Sequence, residues 1–242
     1  MTFVLAVDTA TDWASVALGD DDGMVAQVVL GRRRHAAGVM PAIDHVLAVA
    51  GVGMRDVREV VLADGPGSFT GLRIGAATVQ GIARATDAIV LATVPSLMAA
   101  AWVGARFHPG APIAAWYDAL RGEVFAGMWR WRDDRVETLC APRRATPAAV
   151  IADAPEPATV VVGDGAALYP GPVRAWTGRP PIAPPAGAPR AAALLHLHRA
   201  GATRPVADPF AFVPDYGRPA EAQARWEAEH GRPLPDSPGE FR

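Results

Sequence analysis

Positions 60–81 read VVLADGPGSFTGLRIGAATVQG. Val60, Val61 and Leu62 make an apolar run of strand type, a glycine-rich loop follows, and from about Thr70 to Thr86 apolar residues recur at helical spacing. Strand, glycine loop and helix start is the geometry that cradles phosphates, because backbone N–H groups and the helix dipole converge there on an anion. The stretch nevertheless fails both common nucleotide patterns. The P-loop needs glycine and lysine five and six residues after its first glycine, whereas Thr70 follows Gly65 and Leu72 follows Gly67 at that distance. The dinucleotide pattern G-x-G-x-x-G accepts Gly65 and Gly67 but needs a third glycine where Thr70 stands, and no acidic residue ends a following strand near position 90 to take a ribose.

Outside this stretch the chain tells the same story. All 23 basic residues are arginine, so there is no P-loop ammonium, no Schiff base and no lysine general base. The net charge of −2 supplies no global basic field for nucleic acid binding by the chain alone. Cys140 is the sole cysteine, which excludes internal disulfides and multi-cysteine zinc sites, and its setting, ETLCAPRR, has no histidine or glycine elbow to activate it. His196 and His198 are two apart on an expected helix, so they face different directions and make a poor metal pair. The N-terminal apolar run is too short for a signal peptide or a membrane span, and the plain expectation is a cytoplasmic protein without membrane contact.

The order of elements is informative. FVLAVDT (3–9), WASVALG (13–19) and MVAQVVL (24–30) read as a strand meander, with a turn at DDDG (20–23). A helix is expected over 36–50, with Pro41 either kinking it or marking its first turn, then strand 58–63, the glycine loop, the helix from Thr70 and a strand over 88–94. The second part repeats the theme. A helix runs from Pro95-Ser96 to about Gly104, strands cover 112–119 and 124–131, and Thr146-Pro147 caps a short helix. A strand follows at 158–165, the stretch 170–189 reads as a long loop, helix 190–202 comes next, and the proline-rich tail carries one helical piece at 220–230. The expectation is an α/β chain built as two related βββαβα halves, residues 1–100 and 101–242, the second including the tail. This is the outline of the fold shared by actin, sugar kinases and chaperone ATPases, the actin-like ATPase (ASKHA) fold. In kinases of that fold the first turn is D-x-G-[ST]; here it is Asp8-Thr9-Ala10-Thr11, and the alanine Cβ crowds the place of a phosphate.

Several motifs, in order, carry a closer resemblance: AVDTATDWASVAL (6–18), GPGSFTGLRIG (65–75), YDALRGEVFAGMW (117–129), VGDGA (162–166) and PDYGR (214–218). Together they resemble the TsaB (YeaZ) family. The signature loop is then Gly65, Pro66, Gly67, Ser68, Phe69, Thr70 and Gly71, with Ser68 or Thr70 as the helix cap. The sequence departs from the family pattern at His35-Ala36-Ala37, where H-S-E is usual, at Leu120, where arginine is common, and in a longer tail after Arg218.

The resemblance implies a non-catalytic subunit of the bacterial complex that installs threonylcarbamoyl on the adenosine next to the tRNA anticodon. It implies a homodimer when alone, exchanging for a heterodimer with a catalytic TsaD-type paralogue, and a small TsaE-type ATPase as further partner. tRNA is met only within the complex, and the chain has no catalytic residue, metal or cofactor of its own. The alternative is a stand-alone small-molecule kinase of the same fold, against which the alanine-containing first turn speaks. A metallopeptidase finds no support in the histidines.

The helical periodicity supplies the candidate partner surface. On the helix from Thr70, Leu72, Ala76, Val79 and Ala83 gather on one side and Ile74, Ala77, Gly81 and Ala85 on the other, leaving Arg73, Gln80 and Arg84 as a narrow polar stripe. The helix before it is apolar over about half its circumference through Val39, Met40, Ile43, Val46, Leu47 and Val49. The expected contact is a four-helix arrangement of this pair with the same pair of another chain, built on Met40, Ile43, Leu47, Leu72, Arg73, Ile74, Ala76, Ala77 and Gln80. Periodicity leaves open which side of the second helix is core. The run Arg32-Arg33-Arg34, ahead of the first helix, reads as a solvated charge run or as a contact for something acidic.

Overall fold

The computed structural model describes residues 2–31, 35–86, 89–132, 135–217 and 229–231. Arg32–Arg34, Arg218 and most of the helical piece at 220–230 lie outside the described residues.

The first sheet begins as the meander β1 (Phe3–Asp8), β2 (Ala14–Gly19) and β3 (Met24–Leu30). Its turn is set by Asp20, whose Oδ1 accepts from the Asp22 and Gly23 amides while its own N–H donates to Gly23 O. Helix α1 (His35–Ala50) follows and contains Pro41 in its second turn. Strand β4 (Val57–Ala63), helix α2 (Phe69–Ala85) and strand β5 (Val90–Val94) complete this part. β4 pairs parallel with β1 and β5 parallel with β4, giving the order β5-β4-β1-β2-β3.

Helix α3 (Ser96–Ala105) leads into the second sheet: β6 (Pro112–Asp118), β7 (Val124–Arg132) and β8 (Arg135–Ala145) as an antiparallel meander, α4 (Pro147–Ala152), then β9 (Val160–Val162) parallel to β6. The order β9-β6-β7-β8 repeats β4-β1-β2-β3 with the same strand directions. The duplication expected from the element order is therefore present in the topology, and the protein has the actin-like α/β fold. The chain then adds α5 (Asp164–Leu168), α6 (Pro170–Thr177) and α7 (Ala191–Arg199), and returns to the first sheet as β10 (Arg204–Val206), antiparallel to β5.

Strand alternation sorts side chains between layers. On β1 and β4, Leu5, Val7, Val60 and Leu62 face α1 and α2, whereas Ala6, Val61 and Ala63 face the middle of the molecule. There α7 packs on β1 and β2, α3 packs on β6, β7 and β9, and the two helices touch each other. The middle layer is thin because α3 is alanine-rich and buried almost all round. On the second sheet, Ile113, Tyr117, Phe125 and Trp129 face inward, and Trp116 and Met128 face the outer layer with Val150 of α4 and Val173 of α6.

Four elements differ from the sequence reading. The strand expected over 158–165 ends at Val162, and Asp164–Leu168 turn into α5 after Gly163, which takes a φ of 119°. β8 covers ETLCAPRR, which gave no strand signal; it is an edge strand paired only with β7, so half its residues are polar and Pro142 is tolerated beside a break in register. Residues 170–177, expected as loop, form α6. Pro170 and Pro172 sit in its first turn, where no N–H partner is needed, and Gly178 closes it in the left-handed conformation with φ 70°. β10 was not foreseen, since it is three residues in a proline-rich tail.

Two glycines of α2 have opposite environments. A Cβ on Gly75 would lie 2.5 Å from Thr9 Oγ1 in the first hairpin, whereas one on Gly81 would meet nothing within 4 Å. Gly75→Ala is expected to destabilise the fold by more than about 1 kcal/mol despite its better helix propensity, and Gly81→Ala to stabilise it by about 0.5–1 kcal/mol. Urea denaturation of the two variants checks the signs.

Candidate functional site

The glycine loop lies at the C-terminal end of β4, beside the β1–β2 hairpin, and residues 64–67 are buried. It is tied to three other segments of the chain. Ser68 N–H donates to Ala10 O at 2.7 Å, Gly65 N–H donates to Ser96 Oγ at 2.9 Å, and Ser96 N–H returns the bond to Gly65 O at 2.8 Å. Asp64 N–H donates to Val94 O, and Asp64 O accepts from Asp215 N–H at 2.8 Å. The glycines admit this backbone. A Cβ on Gly67 would stand 2.2 Å from Ala10 O, and one on Gly65, at φ 115°, would stand 1.9 Å from Asp215 O. The backbones of Ala10 and Asp215 thus lie directly against the two glycines. Ser68 is the helix cap, its Oγ accepting from Gly71 N–H at 3.3 Å; Phe69 is half-buried, Thr70 exposed and Gly71 buried.

Both halves contribute largely buried acids near their strand ends, Asp8 and Asp64 in the first and Asp164 in the second. Asp8, at the end of β1, is fully buried and accepts from Ala10 N–H through Oδ1 at 3.0 Å. Loss of water pushes its pKa up to about 7, only partly opposed by that hydrogen bond. Tyr117 of β6 donates its hydroxyl to Ser96 O at 3.2 Å, and burial, with Asp8 and Asp164 nearby, holds its pKa well above the usual phenol value. Asp164 accepts from Gly165 N–H at 2.8 Å and Asp118 N–H at 3.2 Å, and burial again raises its pKa. Asp64 is raised by burial against the pull of Arg204, whose guanidinium lies 2.7 Å from Oδ2. Burial also pushes the Cys140 thiol up, away from nucleophilic reactivity. His198 Nε2 lies 2.9 Å from Glu59 Oε2, and His196 packs on the Trp102 ring. Among the described residues no group of three or more His, Cys, Asp or Glu is placed to hold a metal.

The second surface of interest is the groove between α1 and α2, of about 780 Å³, lined among others by Met40, Asp44, Leu47, Ala77, Gly81 and Ala85. The structure divides the residues of the expected partner surface. Ile43, Leu72 and Ala76 are buried in the chain's own core and offer no surface. Ile74 is half-buried against the same core. Met40 is 46% exposed, Leu47 is buried at the groove floor, and Ala77 is exposed. Arg73 and Gln80 turn to a different neighbour, the C-terminal segment: Arg73 Nε donates to the Tyr216 hydroxyl at 3.4 Å, and Gln80 Nε2 donates to Phe212 O at 3.1 Å. The core side of α2 is therefore that of Leu72, Ala76 and Val79. The C-terminal neighbour was not anticipated, although the PDYGR motif that contains Tyr216 was the available signal.

A family model described as TsaD, tRNA N6-adenosine threonylcarbamoyltransferase, matches residues 23–161, more than half of the chain. The tRNA threonylcarbamoyladenosine biosynthesis protein TsaB of Bacillus subtilis is 28% identical over 92% of this chain and 97% of its own length. The protein of the same name from Haemophilus influenzae is 33% identical over 59% of this chain and 65% of its own, so the chain spans just under two thirds of that relative. The solved structure of YeaZ from Pseudomonas aeruginosa superposes with a TM-score of 0.72 at 27% identity, over 89% of this chain and all of that one. The chain belongs to the TsaB (YeaZ) family. Within that family pattern, the first hairpin and the signature loop are the two segments that close on each other through Ser68 and Ala10. Among the described residues of this family member, no helix is long and apolar enough to cross a membrane.

Asp8 makes the fold pH-dependent in a defined direction. Its pKa is raised from 3.8 to about 7, so the folded state holds a proton that the unfolded chain has released. That stability is fully present below about pH 4 and is lost as pH rises to about 7. Asp64 and Asp164 are shifted in the same direction and are common to both proteins compared. Asp8→Asn is expected to gain on the unmodified protein by about 1.4 kcal/mol per pH unit within that window. Urea denaturation from pH 4.5 to 8.5 measures it; a difference between the two proteins that stays constant with pH would show Asp8 to be ionised in the fold.

Proposed function

We propose that this chain is a non-catalytic subunit of a tRNA threonylcarbamoyladenosine-forming complex, which engages a catalytic TsaD-type paralogue through the α1–α2 groove. Its relatives are named for that biosynthesis. The observation that carries the reading is the state of α2: after its core face is buried, Ala77, Gly81 and Ala85 still line an apolar groove with Met40 and Leu47 of α1. Small residues spaced by four let a second helix approach closely, and two such pairs make a four-helix contact. The same surface serves the homodimer, which exchanges for the heterodimer. The glycine loop, packed directly against Ala10 and Asp215, supports a scaffold rather than a nucleotide-dependent enzyme. A TsaE-type ATPase and tRNA join the chain only within the assembled complex.

Ala77→Arg places a charge in the groove and is expected to weaken self-association and heterodimer formation by about 2–5 kcal/mol while the monomer stays folded. Ala76→Arg puts the charge into the chain's own core and is expected to unfold it. Sedimentation and circular dichroism separate the two; a folded Ala77→Arg that associates like the unmodified protein removes the groove from consideration.

A second measurement addresses the role. Transfer of threonylcarbamoyl to tRNA is expected only when this chain is combined with the TsaD-type and TsaE-type partners and the threonylcarbamoyl-AMP synthase. Equal product formation by those partners without this chain would overturn the proposal.

A further inference from the structure

The segment that follows β10 runs back along α2 and ends against the signature loop. Gln80 Nε2 holds its middle through Phe212 O and Phe210 O, and the Arg84 guanidinium lies 5.1 Å over the Phe210 ring. Farther on, the Tyr216 ring packs 4.6 Å from Phe69, with Arg73 stacked on Phe69 and its Nε donating to the Tyr216 hydroxyl at 3.4 Å. Asp215 N–H donates to Asp64 O, and its own carbonyl fills the space above Gly65. Gly217, at φ 64°, is wedged between Pro66 of the first half and Phe125 of the second: a Cβ there would lie 2.7 and 2.6 Å from their side chains. Phe212 packs against the core under α1 and α2, and Tyr216 against the core between the sheets.

An advance of about 100° per residue puts Phe69, Arg73, Gln80 and Arg84 on one narrow arc of α2. That arc lies between the core arc (Leu72, Ala76, Val79) and the groove arc (Ala77, Gly81, Ala85). The helix is thus held on two sides by its own chain, and the third is the groove.

We propose that residues 207–217 are a latch. Closed, it locks the signature loop and the start of α2 to both halves of the molecule, and it thereby fixes the shape of the groove. The latch itself rests on the contacts above; its consequence for association rests on the groove reading of the previous subsection. If a partner needs the closed latch, linkage requires that a bound partner also protect it.

The test is amide hydrogen exchange on the full-length chain, diluted until sedimentation shows monomer, for the unmodified protein, Tyr216→Ala, Tyr216→Phe and Gln80→Ala. Tyr216→Ala is expected to speed exchange in residues 64–72 at least 10-fold with the circular dichroism spectrum unchanged. Tyr216→Phe keeps the ring stack and is expected to stay within twofold. Gln80→Ala, a change at the helix surface, is expected to speed residues 207–217 and 64–72 together. A folded Tyr216→Ala whose loop exchanges within twofold of the unmodified protein overturns the latch. Should Tyr216→Ala not fold, Gln80→Ala decides: acceleration of 207–217 with the loop unchanged, or no acceleration at all, overturns it equally. At higher concentration, Tyr216→Ala is expected to associate about 10-fold more weakly, and unchanged association in a loosened variant overturns the coupling to the groove. Because the exchange arm needs no partner, absence of association in the unmodified chain would count against the groove reading alone.

Discussion

Much of this molecule depends on one backbone contact, the hydrogen bond from Ser68 N–H to Ala10 O, made possible by Gly67 beneath it. It joins the turn after β1 to the turn after β4, two parallel neighbours whose C-terminal ends form the mouth of an actin-like cleft. The two turns touch. Any side chain at position 67 would have to displace the carbonyl of Ala10, so the contact and the glycine require each other. With the turns closed, Asp8 loses access to water and Ser68 is held where its Oγ can cap α2.

The unusual composition of α2 follows from its surroundings. A surface helix of ordinary kind needs one apolar stripe. This one has three neighbours: the sheet beneath it, the C-terminal segment along Phe69, Arg73, Gln80 and Arg84, and the groove toward α1. Its polar stripe is largely exposed but occupied, since both arginines stack on rings and the glutamine holds two carbonyls. A helix that looks too apolar in isolation is therefore fully used.

What was legible in the sequence was what local periodicity and turn chemistry determine. The extent of α2, the meander of β1 to β3, the Thr146-Pro147 helix start and the repeated half all emerge because neighbouring residues settle them. The family resemblance rested on short motifs, and those motifs are where the chain touches itself. What stayed hidden depends on distant partners. β8 is polar because one of its edges faces solvent, and its strand character comes from β7. The choice between Ala76 and Ala77 as the core residue is invisible to periodicity, because both are small and one step apart on the helix. The C-terminal segment meets α2 through single residues more than 130 positions away, and no window of sequence contains both sides.

The path of the chain has a consequence for how the protein is made. The first sheet is not complete when its own five strands have been synthesised. It waits for Ala191, whose N–H donates to Ser15 Oγ, for Arg199 on Asp20 O, and for β10 and the segment beyond it on β5 and α2. Contacts of such long sequence separation close slowly, since the loop entropy must be spent before they form. During translation the apolar surfaces of β1, β4 and α2 emerge early and stay uncovered while the second half is being built. The half that appears first is finished last, and in that interval its apolar surface is open to association with other chains.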